Sequence, residues 1–449
     1  MNWSERKLHM LGIGGAGMSA LATVAYAWGA DVTGCDRAPS AYSERLERFG
    51  VPVAYDHDPA HLVDGMELVV SSAIPAAEPE LLAARDMGLP RLHRAQLLAE
   101  MVASRRSACV AGAHGKTTTA AMIAYAAVQL GLDPTYLVGG DVPQLGGNAG
   151  PGGGAVLVAE ADESDGSLSL LRPRVAVVTN IELDHHTRFA SAAEVERLFA
   201  EWTTELPASG ALVQHESLSL ATQAQSERFG YGDVEWQVSA VEQDAGQTGY
   251  WLRTPDGTPL HVTLALPGAH NALNATAAIA ALNHLAGTEP AEAAEALSDF
   301  TGAGRRFELR GERAGAWIVD DYAHHPTEVA ATIEAARAWA PGRVVVCFQP
   351  HLFSRTEALA FEFGKALAAA DEVVVTEIYG AREEPVEGVT AKLVVDAVSE
   401  RRPGMPLAYE PTLDAGARYL RGRIRRGDLV VTMGAGDVRR VGDLLLEQG

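Results

Sequence analysis

The sequence predicts an α/β protein of three domains, and three observations carry that expectation. The chain is 449 residues long, which suggests about three domains rather than a single core. Short apolar runs alternate with amphipathic, alanine-rich stretches almost throughout, the pattern of parallel strands joined by helices. Two glycine-rich turns, "LGIGGAGMSALA" (11–22) and "VAGAHGKTTTAAM" (110–122), each lie between such a run and such a stretch.

In order, the first block reads strand 7–13, helix 15–28, strand 31–35, helix 40–49, strand 66–71 and helix 76–87. A second block opens with strand 106–111 and helix 116–130. After a loop at 146–154, "GGNAGPGGG", it continues with strands near 155–160 and 174–179. Between 210 and 266 short alternating segments such as "WQVSAVEQ" and "HVTLALPG", separated by Gly and Asp turns, predict an antiparallel insertion. A long helix follows from about 270. A third α/β block then runs to the end, with strands near 316–320, 343–348, 372–376 and 428–432. The expected bounds are 1–100, 101–304 and 305–449.

Composition narrows the function. Hydrophobic residues make up 47% and mean hydropathy is zero, as in an ordinary globular protein. No apolar run of membrane-spanning length occurs, and the start, "MNWSERKLHM", is too polar for a signal peptide. A net charge of −22 argues against general nucleic-acid binding, which needs a basic face. The three cysteines, Cys35, Cys109 and Cys347, sit in apolar runs without zinc-ligand spacing and read as buried thiols of a cytoplasmic protein. The chain has four lysines against 32 arginines, so a lysine in a motif is informative.

Gly12, Gly14 and Gly17 form the spacing G-x-G-x-x-G, whose backbone N–H groups at a helix start suit a pyrophosphate. Gly15, Met18 and Ser19 share that turn, and Asp36 lies where an acidic residue would hold a ribose. The second turn places Gly112, His114, Gly115, Lys116, Thr117 and Thr118 between strand and helix. This is a variant P-loop, G-x-x-G-K-T, in which lysine reaches the β/γ oxygens of ATP and threonine ligates Mg²⁺.

Metal ligands are expected at two nearby strand ends. These are "VAEADESD" (158–165), with Glu160, Asp162, Glu163 and Asp165, and "TNIELDHH" (179–186), with Asn180, Asp184, His185 and His186. His270, Asn271 and Asn274 open the long helix and either cap it or reach a base or ribose. Arg305 and Arg306 are candidates for neutralising phosphates. Asp320, Asp321, His324 and His325 end one C-terminal strand; His351 and Arg355 follow another. The fold class thus becomes a Rossmann-like N-terminal domain, a central P-loop ATPase-like domain with an antiparallel insertion, and a C-terminal Rossmann-like domain.

The run GIGGAGMS, GAHGKTTT, EADESD, TNIELDH, GAHNALN, RRFE, DDYAHHPTE, FQPHLFSRT and AREEP resembles the Mur ligases of peptidoglycan synthesis, in that family's order and over essentially the whole chain. The resemblance implies a UDP-binding N-terminal domain, a central ATPase domain, and a C-terminal domain that closes over ATP and brings the amino acid. It implies that ATP phosphorylates the lactyl carboxylate of UDP-N-acetylmuramate and that the amine of L-alanine attacks the acyl phosphate.

Residue by residue, the resemblance assigns Lys116 to the phosphates and Thr117, Glu160 and His185 to Mg²⁺. Asn271 and Asn274 fall on the nucleotide side, Arg306 is the interdomain arginine, and Asp321 meets ATP on closure. His324, His351 and Arg355 fall around the muramyl carboxylate and the incoming amino acid, and Ser71 and Ser72 at the uridine-domain strand end. Three departures stand out: Ala113 replaces a frequent threonine, His186 directly follows His185, and no lysine between Lys116 and Lys365 can supply the carbamoylated lysine of several relatives.

The implied partners are small molecules only, with neither nucleic acid nor membrane, and the chain would work as a monomer or homodimer. Two other readings compete. A ligase that attaches a ready-made tripeptide to the same sugar nucleotide shares most motifs. An NAD-dependent oxidoreductase built on the first turn leaves the P-loop and both acidic clusters unexplained.

Overall fold

The computed structural model describes residues 2–184, 188–244, 246–381 and 383–447. Three sheets follow one another along the chain. The first holds β1 (Lys7–Leu11), β2 (Asp31–Cys35), β3 (Val53–Ala54), β4 (Glu67–Val70) and β5 (Arg91–His93), all parallel in the order β3-β2-β1-β4-β5. After β1 the chain moves outward to β2 and β3, then crosses back to place β4 on the other side. The end of β1 is therefore the switch point where open sheets place ligands.

The second sheet has ten strands: β6 (Arg106–Ala111), β7 (Thr135–Val142), β8 (Gly147–Pro151), β9 (Val156–Glu160), β10 (Val175–Val178), β11 (Ala211–His215), β12 (Gln225–Gly230), β13 (Trp236–Asp244), β14 (Gln247–Arg253) and β15 (Pro259–Leu264). Their order is β15-β14-β13-β12-β11-β10-β6-β9-β7-β8, so β6 again stands at the reversal. The predicted antiparallel insertion is only partly antiparallel. β11 and β12 continue the parallel sheet, and only β13 to β15 pair antiparallel. The reason is that β11 is fully buried along most of its length, so it belongs in the sheet interior despite its short turns. The predicted loop 146–154 also contains a strand, β8, which pairs antiparallel with β7 at the far edge.

The third sheet holds β16 (Glu308–Arg313), β17 (Ala316–Asp321), β18 (Val344–Phe348), β19 (Glu372–Val375), β20 (Leu407–Tyr409) and β21 (Leu429–Met433), in the order β16-β17-β21-β18-β19-β20, with only β16 antiparallel. Among the described residues no helix is long and apolar enough to cross a membrane.

The cores divide differently from the sheets. One buried apolar cluster runs from Leu8, Met10 and Ile13 of the first domain through Leu97 and Met101 to Ala111, Phe199 and Trp202 of the second. The apolar clusters of the third domain include no residue from the other two. Its contacts with the central domain include the buried Arg355–Asp184 ion pair, the Thr327–Glu182 hydrogen bond and the Trp339 ring beside Gly246.

Candidate active site

The phosphate turn grows out of β6. Gly112 has φ +140° and a Cβ there would lie 2.2 Å from Thr179 Oγ1, while Gly115 has φ +79° and a Cβ would lie 2.7 Å from Asn274 Oδ1. Only glycine fits at either position. The loop is tied to the end of β10: the His114 N–H donates to Asn180 Oδ1 (2.8 Å), and the His114 carbonyl accepts from Thr179 Oγ1 (2.6 Å) and Asn180 Nδ2 (2.9 Å).

Lys116 then begins the helix Lys116–Gln129. Its ammonium donates to the Gly112 carbonyl and to both oxygens of Glu163 at 3.1 Å. Burial opposes its charge, yet Glu163, Asp162 and Glu160 hold its pKa above the ordinary lysine value. Beside it, Thr117 Oγ1 donates to Glu160 Oε2 at 3.0 Å, and the Gly139 N–H donates to the same oxygen at 2.8 Å.

This turn separates two cavities. One, of about 330 Å³, is lined by His114, Gly115, Thr118, Asn271 and Asn274, with Phe229 and Leu266 as apolar walls and Arg306, Phe307 and Asp321 closing it from the third domain. Asn271 and Asn274 are buried: Asn274 Nδ2 donates to Asn271 Oδ1 at 3.1 Å, and Asn271 Nδ2 to the Pro267 carbonyl at 2.7 Å. Asp321 accepts the N–H groups of Phe307 (2.8 Å) and Ala323 (2.7 Å), and burial pushes its pKa up to about 6 against the pull of Arg306. The other cavity, of about 720 Å³, holds Thr117, Glu160 and Asp162 on one side and Arg305 and Arg306 on the other. Arg306 lines both.

A third cavity, of about 450 Å³, opens on the first turn. Gly12, Gly15, Gly17, Met18, Asp36, Ser71 and Ser72 line it, as the sequence places them. Gly14 and Ser19 face elsewhere. The Gly14 N–H donates to Asp36 Oδ2 (2.9 Å) and its carbonyl accepts from Ser40 Oγ (2.8 Å); the buried Ser19 hydroxyl donates to the Ala16 carbonyl (2.9 Å). Asp36 therefore braces the turn with one oxygen while lining the cavity. Gly17 is tight: a Cβ would lie 2.6 Å from Arg94 Nη1. Arg94 ion-pairs with Asp165 and lies 3.7 Å from Asp162, so it links the first turn to the acidic strand end of the central domain. It lines both this cavity and the large one, as Gly17 does.

The C-terminal residues form a polar seam. Arg355 is 2% exposed, and its guanidinium grips Asp184, with Nε 3.0 Å from Oδ1 and Nη2 closer still. His351 Nδ1 lies 3.1 Å from Arg355 Nη1, and its ring lies 5.9 Å from that of His324. None of the three lines the cavities described above; in this state Arg355 pins two domains together rather than facing a substrate pocket. Burial drives the His324 pKa down to about 4, so its imidazole is neutral. Nearby, the Thr327 hydroxyl donates to Glu182 (2.8 Å), and His114 sits between Glu182 (3.4 Å) and Glu328 (3.3 Å). His185, with His186, lies outside the described residues.

The residues that sequence reasoning missed are Arg94, Glu182 and Glu328. Arg94 opens a helix in a segment given no role, and Glu328 reads as an ordinary first-turn acid after Pro326.

Fold and site together fit an ATP-dependent α/β enzyme with a second glycine-rich turn in a domain of its own. Comparison with known proteins agrees with that class. Three family models match in succession: the Mur ligase family catalytic domain over residues 7–106, the Mur ligase middle domain over 110–282, and the Mur ligase glutamate ligase domain over 305–436. The chain is 46% identical to the UDP-N-acetylmuramate–L-alanine ligase of Kineococcus radiotolerans, covering 98% of this chain and 95% of that one. It is 44% identical to the protein of the same name from Rubrobacter xylanophilus, over 98% and 99%. Among solved structures, the UDP-N-acetylmuramate–alanine ligase of Thermotoga maritima superposes with a TM-score of 0.83 at 28% identity, covering 98% of both chains. A murein peptide ligase from Psychrobacter arcticus gives 0.71 at 26%, also over 98% of both. The chain belongs to the Mur ligase family.

Proposed function

We propose that this enzyme joins L-alanine to the lactyl carboxylate of UDP-N-acetylmuramate, forming ADP and phosphate, in peptidoglycan precursor synthesis. The observation that carries the reading is the run of three cavities through shared residues. Gly17 and Arg94 join the first turn's cavity to the large one, and Arg306 joins the large one to the cavity at the phosphate turn. A UDP-sugar held at Gly12–Gly17 and ATP held at Gly112–Thr118 would thus meet where Thr117, Glu160 and Arg306 converge. The names of the full-length relatives supply the acceptor and the amino acid.

In this reading the adenosine lies against Asn271, Asn274 and Asp321, and Lys116 exchanges its contacts with Glu163 for β/γ oxygens. Arg305 and Arg306 face those oxygens from the third domain, so docking of that domain completes the charge around the transferring phosphoryl group. The carboxylate attacks the γ-phosphorus and ADP leaves. The amine of alanine, held near His324 and His351, then attacks the acyl carbon, and phosphate leaves. Excluding water from this step protects the acyl phosphate from hydrolysis.

Magnesium belongs to the reading as well. A threonine hydroxyl and a carboxylate 3.0 Å apart at the mouth of the turn are hard oxygen donors of the type the ion takes beside phosphates. Bound there, the ion would neutralise phosphate charge. Glu160→Ala is expected to raise the Mg²⁺ concentration needed for half-maximal rate, and an unchanged requirement removes Glu160 from the ligand set. We keep the domain bounds 1–100, 101–304 and 305–449 and a cytoplasmic location, since the reaction consumes ATP, with the monomer or homodimer left to sedimentation. The deciding experiment measures phosphate release with UDP-N-acetylmuramate, ATP and Mg²⁺. L-Alanine should support turnover far better than the tripeptide L-alanyl-γ-D-glutamyl-meso-diaminopimelate or no acceptor. Preference for the tripeptide would make the chain a recycling ligase instead.

A further inference from the structure

The first domain holds a second constellation that the ligase reading leaves unused. Beneath the glycine turn, four side chains from four segments converge: His9 of β1, Cys35 at the end of β2, His61 of the loop after β3, and Glu80 of the helix Pro79–Asp86. One ligand atom from each lies within 4.8 Å of every other. His9 Nε2 is 2.8 Å and His61 Nδ1 3.3 Å from Glu80 Oε1, and Cys35 Sγ is 3.1 Å from Glu80 Oε2. His9 is 2% exposed, and Cys35 and Glu80 are fully buried. His9 Nε2, His61 Nδ1 and Glu80 Oε1 are all buried, and Glu80 holds the cluster together through both rings and the Cys35 thiol. A thiol, two imidazoles and a carboxylate gathered this closely are the donor set of a metal site.

The outer ring of contacts favours an ion. The far nitrogen of His9, Nδ1, lies 2.8 Å from Thr33 Oγ1, and the far nitrogen of His61, Nε2, lies 3.4 Å from Asp56 Oδ1. The Asp56 carboxylate, which only accepts, favours an N–H on the outer nitrogen of His61 and a lone pair turned inward, and the Thr33 hydroxyl can do the same for His9, the arrangement that orients metal-bound histidines. Thiolate and imidazole together select a borderline-soft ion over Mg²⁺ or Ca²⁺. Around a tetrahedral zinc with bonds of about 2.0–2.3 Å the ligand atoms lie roughly 3.3–3.7 Å apart, so the closest pair opens by about 0.5 Å and the widest closes by up to about 1.5 Å. We propose that His9, Cys35, His61 and Glu80 form a structural zinc site in the UDP-binding domain. On coordination the Cys35 thiol gives its proton to solvent, and no redox change occurs.

The site is placed to stiffen the sugar-nucleotide pocket. The Cys35 carbonyl accepts the N–H groups of Gly12 (2.9 Å) and Ile13 (3.1 Å), and the next residue, Asp36, braces Gly14. His57, whose Nδ1 is 3.1 Å from Cys35 Sγ, lines the cavity on the first turn. The sequence shows no zinc spacing because the ligands come from segments brought together only by the fold.

The test uses the full chain, stripped with chelator and titrated with Co²⁺ and Zn²⁺ in excess Mg²⁺. Co²⁺ is expected to give a thiolate-to-cobalt charge-transfer band at one equivalent per chain, displaced by Zn²⁺. Cys35→Ser should abolish the band, Glu80→Gln should weaken zinc binding, and Asp56→Asn should weaken it on the order of 10-fold to 100-fold. Because Cys35 and Glu80 are buried, His61→Gln at the more open edge provides a second arm, with circular dichroism checking the fold of each variant. A folded wild-type chain with no cobalt–thiolate band would overturn the site, leaving a hydrogen-bonded polar cluster. So would a band that survives in Cys35→Ser, since it would arise from Cys109 or Cys347.

Discussion

Two turns in this molecule share one backbone plan and do different work. Both follow the strand at a sheet's reversal point, both begin with a glycine in the positive-φ region (Gly12 at +77°, Gly112 at +140°), and both open an alanine-rich helix. The first turn has no lysine; the two arginines that line its cavity are both ion-paired, Arg37 with Glu78 and Arg94 with the acidic strand end of the next domain. The second carries Lys116 and Thr117 against Glu163 and Glu160. Backbone N–H groups suffice to hold a diphosphate that does not react. Transfer of a phosphoryl group needs charges placed where negative charge develops. The difference between the turns lies in their side chains.

That comparison breaks most sharply at Lys116. Lys116→Ala is expected to lower turnover on the order of 10²-fold or more with the fold intact. Lys116→Arg should fail as well, because a planar fork does not replace a point charge packed between glycines. Near-normal phosphate release by the arginine variant would remove the distinction between the turns.

The third domain's dependence on polar contacts gives the next largest effect. Arg355→Ala removes the guanidinium from the buried Asp184, and losing one partner of a desolvated ion pair is strongly destabilising. Since the first two domains share an apolar core, the loss should fall on docking rather than on their folding. Amide formation should drop on the order of 10-fold or more, while ATP binding measured by calorimetry changes less. Equal losses in both would point to a general folding defect.

The same contrast explains what the sequence made legible. Each turn is local: glycine spacing, strand before and helix after are all visible within about a dozen residues. β11 departs from the expected hairpin array because a buried strand flanked by short turns carries the same local pattern as a hairpin strand. Arg94, Glu182 and Glu328 act through partners far along the chain, as in the Thr327–Glu182 bond across 145 residues. No periodicity encodes such a contact; it exists only once the sheets have packed. The acidic run around Glu160 was visible as a cluster, but not that Glu160 turns to Thr117 and Glu163 to Lys116.

A milder change sharpens the first turn's role. Arg94→Ala is expected to raise KM for UDP-N-acetylmuramate roughly tenfold, with KM for ATP little altered, because Arg94 bridges the two sugar-side cavities but not the one at the phosphate turn. Gly17→Val should act in the same direction by displacing the guanidinium. Gly15→Val should cost less, since a Cβ there meets only the Gly12 carbonyl, at 3.6 Å. If ATP binding suffers equally, Arg94 serves the domain junction rather than the sugar nucleotide.

The smallest expected effect lies in the second turn, where His114 links the phosphate loop to the third domain. Burial alone would lower its pKa, but Glu182 and Glu328 outweigh it and raise the value to about 9. The neighbouring His325, 4.6 Å away centre to centre, is pushed the other way by burial and by His114, so one ring of the pair carries the charge. Because the folded pKa lies above the ordinary value of 6.5, the stabilisation is complete below about pH 6.5 and is lost as pH rises through about 9. Above that, Glu328 keeps Arg306 as a partner at 3.4 Å, which limits the loss. The melting temperature should therefore fall by a few degrees, on the order of 2–4 °C per kcal/mol, across that window. His114→Gln should flatten the slope without the large loss in turnover expected at Lys116, because His114 joins the loop to Glu328 while the ammonium acts on phosphate. A wild-type melting temperature that stays level from pH 6.5 to 9, or a variant that keeps the full slope, would show that the charge on His114 does not hold the turn.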